Sequence, residues 1–114
     1  MANQITIRPA EGTWVVRAGG AVLGESSRAL ALSEGDLGPV IYFPRDDVAM
    51  DFLDDSDTVT TCPGKGDARY FSIATNSAIL KDSVWSYEAP HEQAAEIAGY
   101  LAFDNRDDLA VEQL

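Results

Sequence analysis

The segment Cys62–Gly66 reads Cys-Pro-Gly-Lys-Gly and has the residue types best suited to chemistry in this chain. Its two glycines free the backbone to bring N–H groups close to an anion, and Lys65 adds a positive charge. The Gly-x-x-x-x-Gly-Lys-Ser/Thr spacing of a P-loop is absent. The segment therefore predicts either a loop that binds an anionic or polar ligand, or a structural turn with an exposed lysine.

Cys62 and Asp46 are the candidate catalytic residues. Cys62 can serve as a nucleophile if Lys65 or His91 favours its thiolate. The alternative is a small buried side chain at the end of a strand, which is how free cysteines usually behave. Asp46 follows a buried strand and can contact a ligand, or it can cap the short helix that we expect next. His91 is the only histidine, and we expect it to be exposed.

A group of cationic and aromatic side chains is predicted to line a cleft for a small polar or anionic ligand. Arg45 directly follows the buried strand that ends at Phe43, and strand ends often carry functional groups. A salt bridge is the alternative for Arg45, and core packing is the alternative for the aromatic rings. The side chains assigned to the cleft are Tyr42, Arg45, Lys65, Tyr70, Trp85 and Tyr87.

We expect Arg45 and the Cys62–Gly66 loop to lie side by side. The chain has a formal net charge of −11, which repels anions. An anion site in such a protein needs convergent cations, and Arg45 and Lys65 are the pair available.

Metal binding is not predicted. One histidine and one cysteine cannot form a structural zinc site. The acidic segments 54–57 and 104–108 do not follow a calcium-loop pattern, so we expect solvated loops there. The sequence specifies neither a cofactor nor an oligomeric state.

Composition excludes several classes of partner. The chain has 19 acidic and 8 basic residues, and no two basic residues are adjacent, which disfavours nucleic acids and anionic membranes. A single cysteine allows no internal disulfide, and no apolar run approaches the ~20 residues of a membrane span. Since the N-terminus also lacks a signal-peptide pattern, we expect a cytoplasmic protein with one domain over residues 1–114.

The elements that must position these side chains are mostly strands, because period-2 alternation and β-branched or aromatic residues dominate the first two thirds of the chain. Helices are predicted over Val48–Leu53 and His91–Ala102, the second from its Ala-rich apolar stripe after Pro90. The predicted strands are Ile5–Ile7, Thr13–Ala18, Ala21–Glu25, Arg28–Leu32, Pro39–Phe43, Thr58–Thr61, Arg69–Ala74, Ala78–Lys81, Val84–Tyr87 and a last short one at Leu109–Val111. The expected fold class is α+β, antiparallel and β-rich.

An internal duplication is also predicted. Ala21–Ser26 (Ala-Val-Leu-Gly-Glu-Ser) matches Ala78–Ser83 (Ala-Ile-Leu-Lys-Asp-Ser), and each copy follows a bulky strand and a turn. The second turn is expected at Thr75–Ser77. We therefore expect a hairpin-strand-helix unit that occurs twice.

Four motifs resemble those of the bacterial and fungal DUF427 family in order and spacing. They are Tyr42–Val48, Thr61–Tyr70, Val84–Tyr87 and Ile97–Phe103, and the resemblance covers roughly Thr13 to Ala110. The chain has Gly64 where the family usually has an aromatic residue, and Asp104 where it often has tyrosine. If those aromatics shape a pocket, the resemblance implies a wider pocket or a different ligand here.

The resemblance names no activity, because the family is functionally uncharacterised. It sometimes has a nucleotidyltransferase-like label, whose usual signature is a Gly-Ser turn followed by paired carboxylates that hold two metal ions. Asp55 and Asp57 have the carboxylate spacing, but no Gly-Ser precedes them. Three classes stay open: a small-molecule binding domain, which we favour; an enzyme that uses Cys62, Asp46 or Lys65 in the same cleft; and a structural or interaction domain without a ligand.

Overall fold

Ten antiparallel strands make up most of the computed structural model, which describes residues 4–76 and 78–114. The strands are β1 (Ile5–Pro9), β2 (Trp14–Ala18), β3 (Ala21–Ser26), β4 (Leu30–Glu34), β5 (Val40–Tyr42), β6 (Leu53–Cys62), β7 (Gly66–Ala74), β8 (Ile79–Ser86), β9 (Ala102–Phe103) and β10 (Leu109–Gln113). The prediction of an antiparallel, β-rich domain is confirmed. Ser77, expected in the turn before β8, lies outside the described residues.

The described residues form three sheets, with strand orders β1-β4-β5, β10-β2-β3 and β6-β7-β8-β9. The first and third sheets are joined where Phe43 forms an isolated bridge with Leu101. The N–H of Phe43 donates to the Leu101 carbonyl at 2.8 Å, and the Leu101 N–H donates back at 2.9 Å. This junction brings the β4–β5 end of one sheet against β8 and β9 of another.

The α+β class is wrong, because the described residues contain no α-helix. Three short 3₁₀ helices occur instead, at Arg45–Asp47, Met50–Phe52 and Glu92–Ile97. The alanine-rich stripe does not continue as a helix, because Gly99 has a φ of +77° and Leu101–Phe103 pair with other strands. An isolated helix of this length is marginal, so these tertiary strand pairings override the local helix propensity. No helix among the described residues is long and apolar enough to cross a membrane.

The duplicated hairpin-strand-helix unit is wrong as well. Both matching segments do belong to hairpins, β2–β3 and β7–β8. The first copy ends at Ser26, and the chain then enters β4 of a different sheet, whereas the second copy continues in β8 to Ser86. Within the part of the chain that the structure describes, no α-helix follows either copy.

The acidic segment 54–57 is not a loop but part of β6. The pairing of β6 with β7 shifts between Asp55 and Val59, which marks a bulge. The hydroxyls of Ser56 and Thr58 both donate to the Asp82 carboxylate on β8. Hydrogen bonds across the sheet therefore allow this polar segment to remain a strand.

Tyr42 and Phe43 belong to two different hydrophobic clusters, because adjacent residues of an extended chain point to opposite sides. Phe43 packs with Phe71, Val84 and Phe103 in one cluster. Tyr42 packs in the other, which contains Leu32, Ala68, Tyr87, Ala94, Ile97 and Ala102. The β6-β7-β8-β9 sheet therefore presents one face to each cluster, and this arrangement decides which charged groups can meet.

Gly24 should be intolerant of a side chain. A Cβ at this position would lie 2.9 Å from the Asp47 carbonyl oxygen, because Gly24 bridges to Val48. Since backbone must move to relieve that contact, we expect Gly24→Ala to lower the free energy of unfolding by about 1–3 kcal/mol in urea titrations. The matched control is Gly20→Ala, whose Cβ has nothing within 4 Å and which should change stability by less than about 0.5 kcal/mol. Equal effects of the two variants would contradict this explanation.

Candidate ligand-binding site

A cavity of about 380 Å³ lies on the Tyr42 side of the β6-β7-β8-β9 sheet, and we call it the Trp85 pocket. Its walls come from β4, β5, the loop between them, and β7 and β8. The lining residues are Leu32, Glu34, Leu37, Gly38, Val40, Tyr42, Lys65, Tyr70, Asp82, Trp85, Tyr87 and Asp104. Five of the six side chains assigned to a ligand cleft from the sequence therefore line one cavity, and Arg45 does not.

Strand register positions the aromatic side chains of the pocket. Tyr70 on β7 and Trp85 on β8 are directly opposed, and their ring centroids are 6.4 Å apart. Tyr87 follows Trp85 by two residues, so it lies on the same face of the chain. Trp85 Nε1 donates a long hydrogen bond to the Tyr42 hydroxyl at 3.4 Å, which links the third sheet to β5 of the first. Burial raises the pKa of both Tyr42 and Tyr87, so both phenols are neutral at neutral pH.

Lys65 enters the pocket from the turn between β6 and β7. The turn is closed by a hydrogen bond from the Lys65 N–H to the Cys62 carbonyl. The ammonium donates to Glu34 Oε1 at 2.6 Å, and it lies 5.8 Å from the centroid of the Tyr87 ring. Burial lowers the pKa of Lys65, but the hydrogen bond to Glu34 and the nearby negative charges together raise it by more. Lys65 is therefore a protonated, paired lysine rather than the exposed lysine of a simple turn.

Glu34 and Asp82 are charged pocket residues that the sequence interpretation missed. Glu34 is the one that its strand pattern could have revealed. It ends β4, two residues after Leu32 and four after Leu30, so all three share one face of the strand. A carboxylate that continues the apolar face of a strand indicates a charged partner that is buried with it. This signal in the sequence could have identified Glu34. The side chains of Glu34 and Lys65 are only 20% and 12% exposed.

Two aspartates add further negative charge to the pocket. Asp82 accepts hydrogen bonds from Ser56 and Thr58, and the Ser56 bond is the main reason that its pKa is lowered. Asp104 accepts a bond from the Arg106 guanidinium at 3.0 Å. Asp104 is also one of the two departures from the family pattern. The other, Gly64, lies beside the pocket, since a Cβ there would be 3.4 Å from Glu34 Oε2.

The expectation that Arg45 and Lys65 converge is wrong. The Arg45 guanidinium donates to Glu88 at 2.9 Å and lies 5.7 Å from the Phe71 centroid. Phe71 and Tyr70 are neighbours on β7 and point to opposite faces. Arg45 is therefore on the Phe43 side of the sheet, whereas Lys65 is on the Tyr42 side, and the strand between them prevents a shared anion site.

Arg45 belongs instead to a surface ion-pair network. Arg69 lies 4.9 Å from the same Phe71 ring, and it donates to Glu88 at 3.2 Å and to Asp55 at 2.8 Å. The side chains of Arg45, Arg69 and Glu88 are each nearly two-fifths exposed, so water screens these pairs. The salt-bridge alternative for Arg45 is the one that the structure adopts.

The candidate catalytic residues do not line the Trp85 pocket, apart from Lys65. Cys62 ends β6 and packs against the cluster that contains Tyr42. Asp46 is exposed in a 3₁₀ helix, and it is Asp47 that accepts hydrogen bonds from Ser26 and Arg28. The His91 side chain is exposed, and the backbone N–H of His91 donates a hydrogen bond to the Lys65 carbonyl. Among the described residues, no group of three or more His, Cys, Asp or Glu side chains could hold a metal ion.

Comparison with known proteins yields one family. The family model described as a domain of unknown function, DUF427, matches residues 6–113, nearly the whole chain. This match confirms the resemblance found in the sequence motifs. A search of curated proteins found no match.

Proposed function

This chain belongs to the DUF427 family, and we propose that it binds a small polar molecule in the Trp85 pocket. The observation that supports the proposal is the convergence of four aromatic side chains and a buried ion pair on one cavity. Those side chains are Tyr42, Tyr70, Trp85, Tyr87, Lys65 and Glu34. Ligand sites typically combine apolar walls with a few polar groups in a cavity of about 300–1,000 Å³, and this pocket is within that range.

The character of the walls supports a polar rather than an apolar ligand. Leu32, Val40 and the aromatic rings offer surface for packing, while Glu34 and Lys65 offer hydrogen-bonding groups. The expected anionic ligand loses its support, because Arg45 lies on the other face of the sheet and three carboxylates line the pocket. Binding is favoured over catalysis, because Lys65 is held protonated by Glu34 and a protonated amine is not a nucleophile.

Replacing Trp85 with alanine should weaken ligand binding at least tenfold. The indole ring is shared by the pocket wall and by a second cavity of about 290 Å³ next to it, so its loss removes a central contact surface. The measurement is ligand-detected NMR with a library of small neutral, cationic and anionic polar molecules. Molecules that bind the wild-type protein should be released by Trp85→Ala.

The matched control is Trp14→Phe, which changes the only other tryptophan. Trp14 lines the neighbouring cavity but not the Trp85 pocket, and phenylalanine keeps an aromatic ring in its place. This variant should retain binding, and it makes Trp85 the sole indole fluorophore for titrations. If Trp85→Ala does not fold by circular dichroism, Tyr70→Ala tests the same wall. A library in which no molecule distinguishes the wild type from both variants would exclude the proposal.

A further inference from the structure

The charge of the Trp85 pocket restricts what it can bind. Its lining includes three carboxylates, from Glu34, Asp82 and Asp104, and one ammonium, from Lys65. Since Lys65 is already paired with Glu34 at 2.6 Å, its charge is not available to an incoming anion. Asp104 is likewise paired with the Arg106 guanidinium at 3.0 Å. The carboxylate of Asp82 accepts hydrogen bonds from the neutral hydroxyls of Ser56 and Thr58, so it keeps its charge and the remaining charge on the pocket walls is negative.

The aromatic lining also favours a cation over an anion. Tyrosine and tryptophan rings attract cations through the negative potential of their faces. The Tyr70 and Trp85 rings are only partly buried and form one wall of the cavity. An anion placed there would meet aromatic rings and carboxylates of its own sign.

Lys65 shows how this protein already holds an ammonium group. The Lys65 ammonium lies between a carboxylate, Glu34, and a ring, Tyr87, at 2.6 Å and 5.8 Å respectively. The same cavity is lined by two more carboxylates, Asp82 and Asp104, and by two more aromatic rings, Tyr70 and Trp85. A second ammonium group would therefore meet the same chemistry.

We propose that the ligand of the Trp85 pocket is an organic cation with an ammonium head group. This inference rests on the proposed binding function and adds the ligand class to it. The net charge of −11 favours binding of such a ligand, because it attracts cations to the protein surface before they reach the pocket.

The test uses three molecules with one carbon skeleton and different head groups: 3,3-dimethylbutylammonium, 3,3-dimethylbutan-1-ol and 3,3-dimethylbutyrate. Trp85 fluorescence in the Trp14→Phe protein reports binding of each. We expect the cation to bind at least tenfold more tightly than the neutral alcohol, and the carboxylate to bind more weakly than either. Higher salt should weaken binding of the cation alone.

Asp104→Asn provides the matched change in the pocket, because it removes one charge and preserves the shape of the side chain. It should weaken cation binding at least threefold without affecting the alcohol. The control is Asp107→Asn, which changes the net charge equally but does not line the pocket. Equal weakening by both variants would mean that the overall charge, rather than the pocket, selects the cation.

The two proposals fail in different ways. If the alcohol or the carboxylate binds as tightly as the cation, or if none of the three binds while other members of the wider library do, the cation inference is overturned and the binding function stands. If no molecule of the wider library binds, both proposals are overturned.

Discussion

Replacing Phe43 with alanine is expected to lower the free energy of unfolding by about 3–5 kcal/mol, a large part of the roughly 5–15 kcal/mol typical of a domain. The Phe43 side chain is fully buried, and its ring packs edge-on against Phe103 with centroids 5.6 Å apart. Alanine can retain both backbone hydrogen bonds to Leu101, so the loss comes from the emptied space between the sheets.

Urea unfolding monitored by tryptophan fluorescence measures this effect. The comparison is Phe43→Leu, which preserves most of the apolar volume and should lower stability by less than about 1.5 kcal/mol. If Phe43→Ala lowers the free energy of unfolding by less than about 1 kcal/mol, the packing of the two sheets does not depend on this residue.

Alkaline pH is expected to destabilise the fold through three groups at the Trp85 pocket. Burial raises the pKa of Tyr42 and, more strongly, of Tyr87, where repulsion from the Tyr42 phenolate adds to the effect. Burial of Lys65 lowers its pKa, but the hydrogen bond to Glu34 and the nearby negative charges together more than offset this effect. In each case the folded state holds its proton more tightly than the unfolded chain does.

The sign of the pH dependence follows from that difference. Below about pH 10 all three groups are protonated in both states, and the fold has its full stability. As the pH rises above about 10, the unfolded chain loses these protons first, so the free energy of unfolding falls with increasing pH. The loss continues as the pH approaches the higher folded-state pKa values.

Tyr87→Phe isolates the largest of these contributions. The variant should have near wild-type stability at pH 7 and a shallower decline between pH 10 and 11.5, so that its urea midpoint exceeds that of the wild type at the alkaline end. Absorbance at 295 nm follows tyrosinate formation in the same samples. Parallel pH profiles for the two proteins would show that the Tyr87 phenol does not govern alkaline unfolding.

Several features of the site can be predicted from local sequence. Alternation along the chain identifies β7, and it identifies β8 as two shorter strands, Ala78–Lys81 and Val84–Tyr87, which the structure joins into one. It also places Tyr70 on the opposite face from Phe71 and Trp85 on the same face as Tyr87. The turn at Cys62–Gly66 and the exposure of His91 also follow from residue types near each other in the chain. Each of these features depends on interactions between neighbours, which the sequence contains directly.

The tertiary structure decides the rest. Arg45 follows a buried strand, but only the packing of that strand against Phe71 determines that it lies on the side away from Lys65. Glu34 pairs with a lysine that is distant along the chain. The 3₁₀ helix at Glu92–Ile97 ends shortly before the chain pairs with Phe43 through Leu101. Local pattern specifies which side chains share a face of a strand, whereas the energy of burying those faces together selects their partners from distant parts of the chain.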